Sequence, residues 1–183
     1  MARFFDALTE EHARFVAAQP MFFVATAASE GRINLSPKGM DTFRVLGPRL
    51  VAYLDLSGSG AETAAHLRAD GRLTVMFNGF GDAPLILRLY GQGRYEPLDG
   101  PVATAHPDVF PDLPGARGLV VMAVDSVQTS CGYAVPKMTL TEERDTLLRW
   151  AERKGAAGLR DYKAANNAVS IDGLPTGLTG EAE

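Results

Sequence analysis

Cysteine is nearly missing from this sequence, since Cys131 is the only one among 183 residues. A single thiol excludes an intramolecular disulfide and a zinc site built from several cysteines. A chain so poor in cysteine suits a reducing compartment, and we therefore expect a cytoplasmic protein. The three histidines, His12, His66 and His106, show no spacing typical of metal ligands, so the sequence predicts no metal site.

The sequence also lacks an excess of basic charge and a long apolar run. Lys and Arg number 18 against 22 Asp and Glu, which gives a net charge of -4 and no basic patch. Such a chain has no overall attraction to nucleic acid or to anionic membranes. The longest apolar stretch, Gly118 to Val124, is too short to span a bilayer, and Asp6 interrupts the apolar run that a signal peptide needs. We expect neither a nucleic-acid nor a membrane partner.

The pattern that is present is one of strands separated by short turns. A first helix is predicted from Thr9, which can cap it, to Pro20, which ends it. A short helix at 61–67 follows a glycine loop, and 99–114 is a loop with one helical turn. Alternating and β-branched segments predict strands at 21–28, 32–36, 42–46, 50–56, 72–78, 85–95 and 119–127.

Short turns between strands imply antiparallel pairing, and a sheet of this size closes on itself to hide its edges. The expected fold is therefore mainly β with peripheral helices (α+β): an antiparallel barrel over residues 1–135. Residues 136–183 are expected to pack on it as a helical extension. There Thr139–Glu142 forms a capping-box pattern, a helix ends at Lys154-Gly155, a second covers Leu159 to Asn166, and an irregular tail starts at Asp172.

Two segments carry groups that could face a ligand. Ile33 to Gly39 places amide, hydroxyl and ammonium groups at a strand end, although a Ser-Pro turn with an exposed lysine would look the same. Asp55 to Thr63 combines glycines with a helix start, where free N–H groups suit a phosphate. That loop matches neither common nucleotide-binding fingerprint, and an ordinary strand-to-helix loop explains it equally well.

Read in order along the chain, these segments resemble the flavin-binding split barrels related to pyridoxamine 5'-phosphate oxidase. The similarity covers about residues 8 to 130, and Ser130 to Pro136 with the helical tail is similar to one branch of that family. The matching runs are Gly31 to Gly39, Leu50 to Asp55, His66 to Phe77 and Arg88 to Arg94.

The resemblance implies a split barrel of the FMN-binding type, a homodimer that holds flavin mononucleotide (FMN) in a groove between its subunits. In the family, one strand runs along the ring and ribityl chain, a second adds contacts, and the start of the short helix binds the phosphate. Transferred to this sequence, the expected cofactor-binding residues are Asn34, Leu35, Ser36, Pro37, Lys38, Leu54, Asp55, Ser57, Gly58, Glu62 and Thr63.

This sequence departs from the family at the expected phosphate site. Family members usually carry Arg or Lys where this chain has Glu62 and Thr63, and that removes a charge-assisted contact. Three explanations remain open. Lys38 and the loop amides replace the contact, the phosphate lies elsewhere, or the ligand is not FMN.

The function implied by the resemblance is a flavin-dependent oxidoreductase acting on a small molecule. Cofactor chemistry accounts for the absence of any recognisable acid–base constellation, and no catalytic residue can be named. The alternatives are a non-catalytic protein that binds or senses a flavin, a deazaflavin or haem, and a structural dimer without a cofactor. We expect a homodimer also because Leu85 to Tyr90 and Leu119 to Val124 carry more apolar surface than one small barrel needs.

Overall fold

The computed structural model describes residues 1–179. Within them, no helix is long and apolar enough to cross a membrane. The helices are α1 (Glu10–Ala17), α2 (Glu62–Ala69), α3 (Pro101–Ala105) and α4 (Thr146–Asn166). The strands are β1 (Arg3–Phe5), β2 (Phe22–Thr26), β3 (Asn34–Lys38), β4 (Phe43–Gly47), β5 (Leu50–Leu56), β6 (Arg72–Asn78), β7 (Leu85–Glu96) and β8 (Ala116–Cys131).

The strands form one antiparallel sheet in the order β3-β2-β6-β7-β8-β5-β4, with β1 added against β8. Its two end strands, β3 and β4, are consecutive in sequence and joined by the short segment 39–42. The sheet must therefore curl until its ends approach. It forms a barrel that stays open between β3 and β4, which places Lys38 at the opening.

Apolar side chains cover both faces of the central strands. One cluster fills the barrel, with Tyr53, Phe77 and Leu87 among its most buried members, and a second lies between the outer face of β5 and β8 and helix α3. Leu87 and Leu89 are fully buried, and Leu119 is 1% exposed, within a single chain. Much of the apolar surface of β8 is therefore used within one chain, because α3 and its loop cover the outer face of β5 and β8. Leu85 and Ile86 of β7 are only half-buried, and the dimer stays a prediction.

The helical predictions were confirmed at the first helix and partly wrong in the extension. Thr9 caps α1 as expected. Residues 139–145 are not helical, so the capping box predicted at Thr139 does not form, and Leu140 is 56% exposed in the groove wall. The predicted break at Lys154-Gly155 is confirmed, because α4 consists of two helical segments that meet at Gly155, whose φ is 62°. The last four residues of the predicted tail, 180–183, lie outside the described residues.

A glycine in β7 gives a direct test of this strand packing. A Cβ on Gly91 would lie 2.0 Å from the Ala123 carbonyl oxygen of β8, at a register shift between the strands. We expect Gly91→Ala to lower the free energy of unfolding by about 1–3 kcal/mol, because backbone cannot move aside cheaply. Gly81→Ala, where a Cβ meets nothing within 4 Å, is the matched control in urea denaturation. Equal midpoints for the two variants would contradict this register between β7 and β8.

Candidate functional site

The polar face of β3 lies against the start of α2 and forms a narrow cleft. Asn34, Ser36 and Lys38 are half-buried on this face, whereas Leu35 and Pro37 alternate onto the exposed one. The side chains of this cleft hold one another in place. The residues lining the cleft are Asn34, Ser36, Lys38, Asp55, Gly60, Ala61, Glu62, Thr63, Ala64 and Arg117.

A chain of hydrogen bonds fixes the inner end of the cleft. The Asn34 side-chain amide donates to the hydroxyls of Thr26 and Thr63, at 3.2 Å each, and accepts from the Ser36 hydroxyl at 3.0 Å. The Thr26 hydroxyl is also 3.0 Å from His66 Nδ1. Because His66 is buried on α2, this chain connects β2, β3 and α2 through side chains alone.

A buried ion pair forms the floor of the cleft. Arg117 Nε lies 2.6 Å from Asp55 Oδ2, and the two side chains are 4% and 7% exposed. Burial acts to lower the pKa of Arg117, but the Asp55 charge and its hydrogen bond raise the pKa overall. Arg117 therefore stays charged, and it offsets the charge of the Asp55 carboxylate beside it.

Arg117 extends this pair to the glycine loop and the C-terminal tail. Its Nη2 donates to the Gly60 carbonyl at 2.6 Å, and its Nη1 donates to Asn167 Oδ1 at 3.1 Å. The Asn167 side-chain amide in turn donates to the Gly58 carbonyl at 3.1 Å. The loop conformation is thus set by two side chains from far along the sequence.

Lys38 has the charge that remains available to a ligand. Its Nζ lies 3.7 Å from Asp55 Oδ1, a long separation, and its side chain is 28% exposed. Arg117 holds the same carboxylate at 2.6 Å and donates to two further acceptors. Arg117 is therefore fully engaged, whereas Lys38 can turn toward an anion at the cleft mouth.

Glu62 is directed toward the tail of its own chain. Both of its carboxylate oxygens accept from the backbone N–H of Ile171, at 3.2 and 3.1 Å. Ala61, which precedes α2, makes no side-chain cap hydrogen bond to the first turn of that helix. Glu62, where Arg or Lys was expected from the resemblance, thus binds the C-terminal tail.

Two tyrosines complete the floor beside Asp55. The Tyr53 hydroxyl is buried and has no hydrogen-bond partner among residues 1–179, and the Tyr95 hydroxyl lies 3.3 Å from Asp55 Oδ2. Burial, and then the Asp55 charge, raises the pKa of both phenols. Both hydroxyls therefore remain protonated at any physiological pH.

The cleft opens onto a larger apolar groove. The enclosed part of the cleft measures about 20 Å³, room for one water molecule, so a phosphoryl group would lie at its mouth. The groove measures about 850 Å³ between the β3 end and α4, with Pro37, Met40, Leu147 and Trp150 in its wall. Lys38 lines both spaces and thus stands at their junction.

The structure brings some of the predicted residues together and separates others. Six lie in the cleft wall, and Pro37 and Gly58 line the groove. Leu35 is 64% exposed on the opposite face of β3, Leu54 is packed in the outer core cluster, and the backbone N–H of the buried Ser57 donates to the Gly115 carbonyl. The six in the cleft wall are Asn34, Ser36, Lys38, Asp55, Glu62 and Thr63.

Arg117 and Asn167 were missed by the sequence reasoning. The sequence signal for Arg117 was its position at the start of the most apolar strand, because a charge buried there requires a partner of opposite charge. Asn167 carries no comparable signal, because its partners lie 50 and 109 positions away.

The sequence of this chain is similar to that of known proteins. Residues 8–131 match the family model for pyridoxamine 5'-phosphate oxidase. The chain belongs to the pyridoxamine 5'-phosphate oxidase family. A relative in Aspergillus flavus, named pyridoxamine 5'-phosphate oxidase family protein ustO, is 37% identical over 193 residues, covering 96% of this chain and 78% of its own.

Solved structures share the fold of this family member at low identity. HupZ of Group A Streptococcus gives a TM-score of 0.51 at 17% identity, covering 66% of this chain and 91% of its own. A Lactobacillus delbrueckii protein described as a putative pyridoxamine 5'-phosphate oxidase gives 0.53 at 20%, covering 67% and 94%. The predicted antiparallel split barrel is confirmed.

The buried ion pair predicts a large loss of stability when one partner is removed. Arg117→Met leaves the buried Asp55 with only the long contact to Lys38 and the Tyr95 hydroxyl, and we expect a loss of about 3–5 kcal/mol in the free energy of unfolding. Arg149→Met, which breaks an exposed pair with Asp145, should change it by less than about 1 kcal/mol. Adding Asp55→Asn to Arg117→Met should recover part of the loss in the same denaturation measurement. A small effect of Arg117→Met would show that the pair is hydrated.

Proposed function

We propose that this protein binds FMN and acts as a flavin-dependent oxidoreductase on a small molecule. The observation that carries the proposal is Lys38, a cation with spare hydrogen-bonding capacity at the junction of a polar cleft and an apolar groove. FMN has the matching shape, an apolar ring system joined to a phosphate. Membership of the pyridoxamine 5'-phosphate oxidase family supports this choice of ligand.

The residues present fit the cofactor. The phosphate would meet Lys38, the hydroxyls of Ser36 and Thr63, and the first turn of α2, to which Ala61 gives no side-chain cap. Asp55 does not oppose it because Arg117 neutralises that carboxylate. The groove of about 850 Å³ has the size of an ordinary small-molecule site.

In this proposal the candidate residues have different parts. Asn34, Ser36, Pro37 and Lys38 line the ribityl chain and ring, Leu54 and Asp55 support the site from β5, and Ser57 and Gly58 shape the loop. Residues 1–135 would form the domain that holds the cofactor, and the extension from 136 would pack on it, with 180–183 outside the described residues. The location would be cytoplasmic, as the composition suggests.

The flavin would supply the electron-transfer chemistry when bound, and the chain's residues would bind and orient it. Lys38 would hold the phosphate, and Trp150 and Leu147 would exclude water from one side of the groove. The Tyr95 hydroxyl would hold Asp55 in place, and the buried Tyr53 hydroxyl would serve as a donor on the floor, both kept protonated by their raised pKa values. No residue needs to act as a general base in this scheme.

Glu62 favours a second candidate, a non-catalytic protein that binds or senses a flavin, a deazaflavin or haem. An acid at the usual basic position weakens the case for a strongly held phosphate. His12 and His66 are 6% and 2% exposed, so neither ring is accessible to a haem iron as placed. The absorption spectrum of the purified protein separates the candidates, since a flavin gives two bands and haem a Soret band.

Removal of the Lys38 charge should weaken FMN binding. A charge-assisted bond to phosphate contributes about 1.5–3 kcal/mol, so Lys38→Ala should raise the Kd for FMN at least tenfold in a fluorescence titration. Lys137→Ala, which removes an exposed lysine paired with Asp82, is the control and should leave the Kd unchanged. Riboflavin, which lacks the phosphate, should bind both variants alike. Equal FMN affinity for Lys38→Ala and wild type would place the phosphate elsewhere.

We also propose a homodimer with the cofactor groove between its subunits. β3 is an edge strand that pairs only with β2 among the described residues. Ile33, just before it, and Leu35, within it, are 78% and 64% exposed. A partner subunit on this face would cover them and complete the groove.

Light scattering should therefore give the mass of a dimer at micromolar concentration, with an interface above about 2,000 Å² in total. Leu35→Glu should shift the protein toward monomer, while Leu98→Glu, at an exposed leucine of the β7–α3 connection, should not. A monomeric wild-type protein would contradict the proposal.

A further inference from the structure

The C-terminal tail crosses the start of α2 and is held there by several independent contacts. Asn167 is fully buried, and Ser170 and Thr176 are 5% and 4% exposed. Asp172 accepts a hydrogen bond from the backbone N–H of Arg32 at 2.7 Å and pairs with its side chain. The tail lies beyond residues 8–131, so it does not belong to the part of the chain that matches the family model.

One of these contacts controls the direction of Glu62. The Ile171 N–H binds both carboxylate oxygens of Glu62. Without that donor, the carboxylate would be free to turn toward the positive end of its own helix, which attracts negative charge. It would then occupy the position of an anion at the cleft mouth and repel it.

We propose that the tail is a strap that withdraws Glu62 from the phosphate subsite, so that tail docking and phosphate binding favour each other. The inference rests on the proposed function, because it concerns the same site and the same ligand. It explains how a chain with an acid at this position can accept a phosphate beside Lys38. The coupling is reciprocal, so bound FMN also holds the tail more firmly.

The Ile171 N–H can be removed without changing any charge. Ile171→Pro deletes this donor, and Ile171→Ala keeps it and is the matched control, since the Ile171 side chain is 69% exposed. We expect the Kd for FMN to rise at least fivefold in Ile171→Pro and to stay unchanged in Ile171→Ala. The Kd for riboflavin should be the same in both.

Rescue by Glu62→Gln separates this role from general damage to the tail. In the Ile171→Pro background, Glu62→Gln removes the charge that obstructs the phosphate and should restore the wild-type Kd for FMN. In the wild-type background the same change should have a smaller effect, because the strap already holds Glu62 away. Asp172→Asn, which weakens the strap at a second point, should raise the Kd for FMN in the same direction and be rescued in the same way.

The outcomes distinguish this inference from the proposed function. If the wild-type protein binds FMN, and Ile171→Pro and Ile171→Ala bind it equally well, the proposed role of the tail is contradicted. The cofactor assignment then stands. A loss in Ile171→Pro that Glu62→Gln does not restore also overturns the strap. If wild type binds no FMN, the proposed function and the inference fall together. Hydrogen exchange of residues 167–178 should slow when FMN is added, and an unchanged rate would contradict the coupling.

Discussion

The buried ion pair between Asp55 and Arg117 is the interaction on which the rest of the site depends. It joins β5 to the start of β8 at the open end of the barrel, where both side chains are almost excluded from solvent. A charge buried there without its partner would be strongly destabilising, so the pair can exist only if both strands keep this register. Arg117 also donates hydrogen bonds to the Gly60 carbonyl of the glycine loop and to Asn167. One side chain therefore connects the barrel, the glycine loop and the C-terminal tail.

This anchor determines what the neighbouring charges can do. Because Arg117 satisfies Asp55, Lys38 keeps only a long contact to that carboxylate and stays available at the cleft mouth. Because Asn167 fixes the tail, the Ile171 N–H reaches the Glu62 carboxylate. This contact gives a role to the acid at position 62, which the family resemblance left unexplained. The phosphate subsite proposed here is therefore built by the barrel and by the extension together.

Much of the fold could be predicted from the sequence because its signals are local. The strands Leu50–Leu56 and Arg72–Asn78 have the predicted bounds, since alternation and flanking turns define both ends. The capping box at Thr139 failed because a local pattern cannot show whether tertiary packing supports a helix there, and Leu140 is 56% exposed. Asn34, Ser36 and Lys38 were expected from the resemblance and lie together in the cleft because they alternate along one strand, whereas Arg117 and Asn167 reach it only through long-range folding.

A crystal structure of the protein grown with FMN is the most direct test of this account. We expect the phosphate at the mouth of the cleft, within hydrogen-bonding distance of Lys38 Nζ and the Thr63 hydroxyl. Glu62 should still accept from the Ile171 N–H, and Asp55 should still be paired with Arg117. A phosphate bound away from Lys38, or Glu62 turned into the cleft beside the bound flavin, would contradict it.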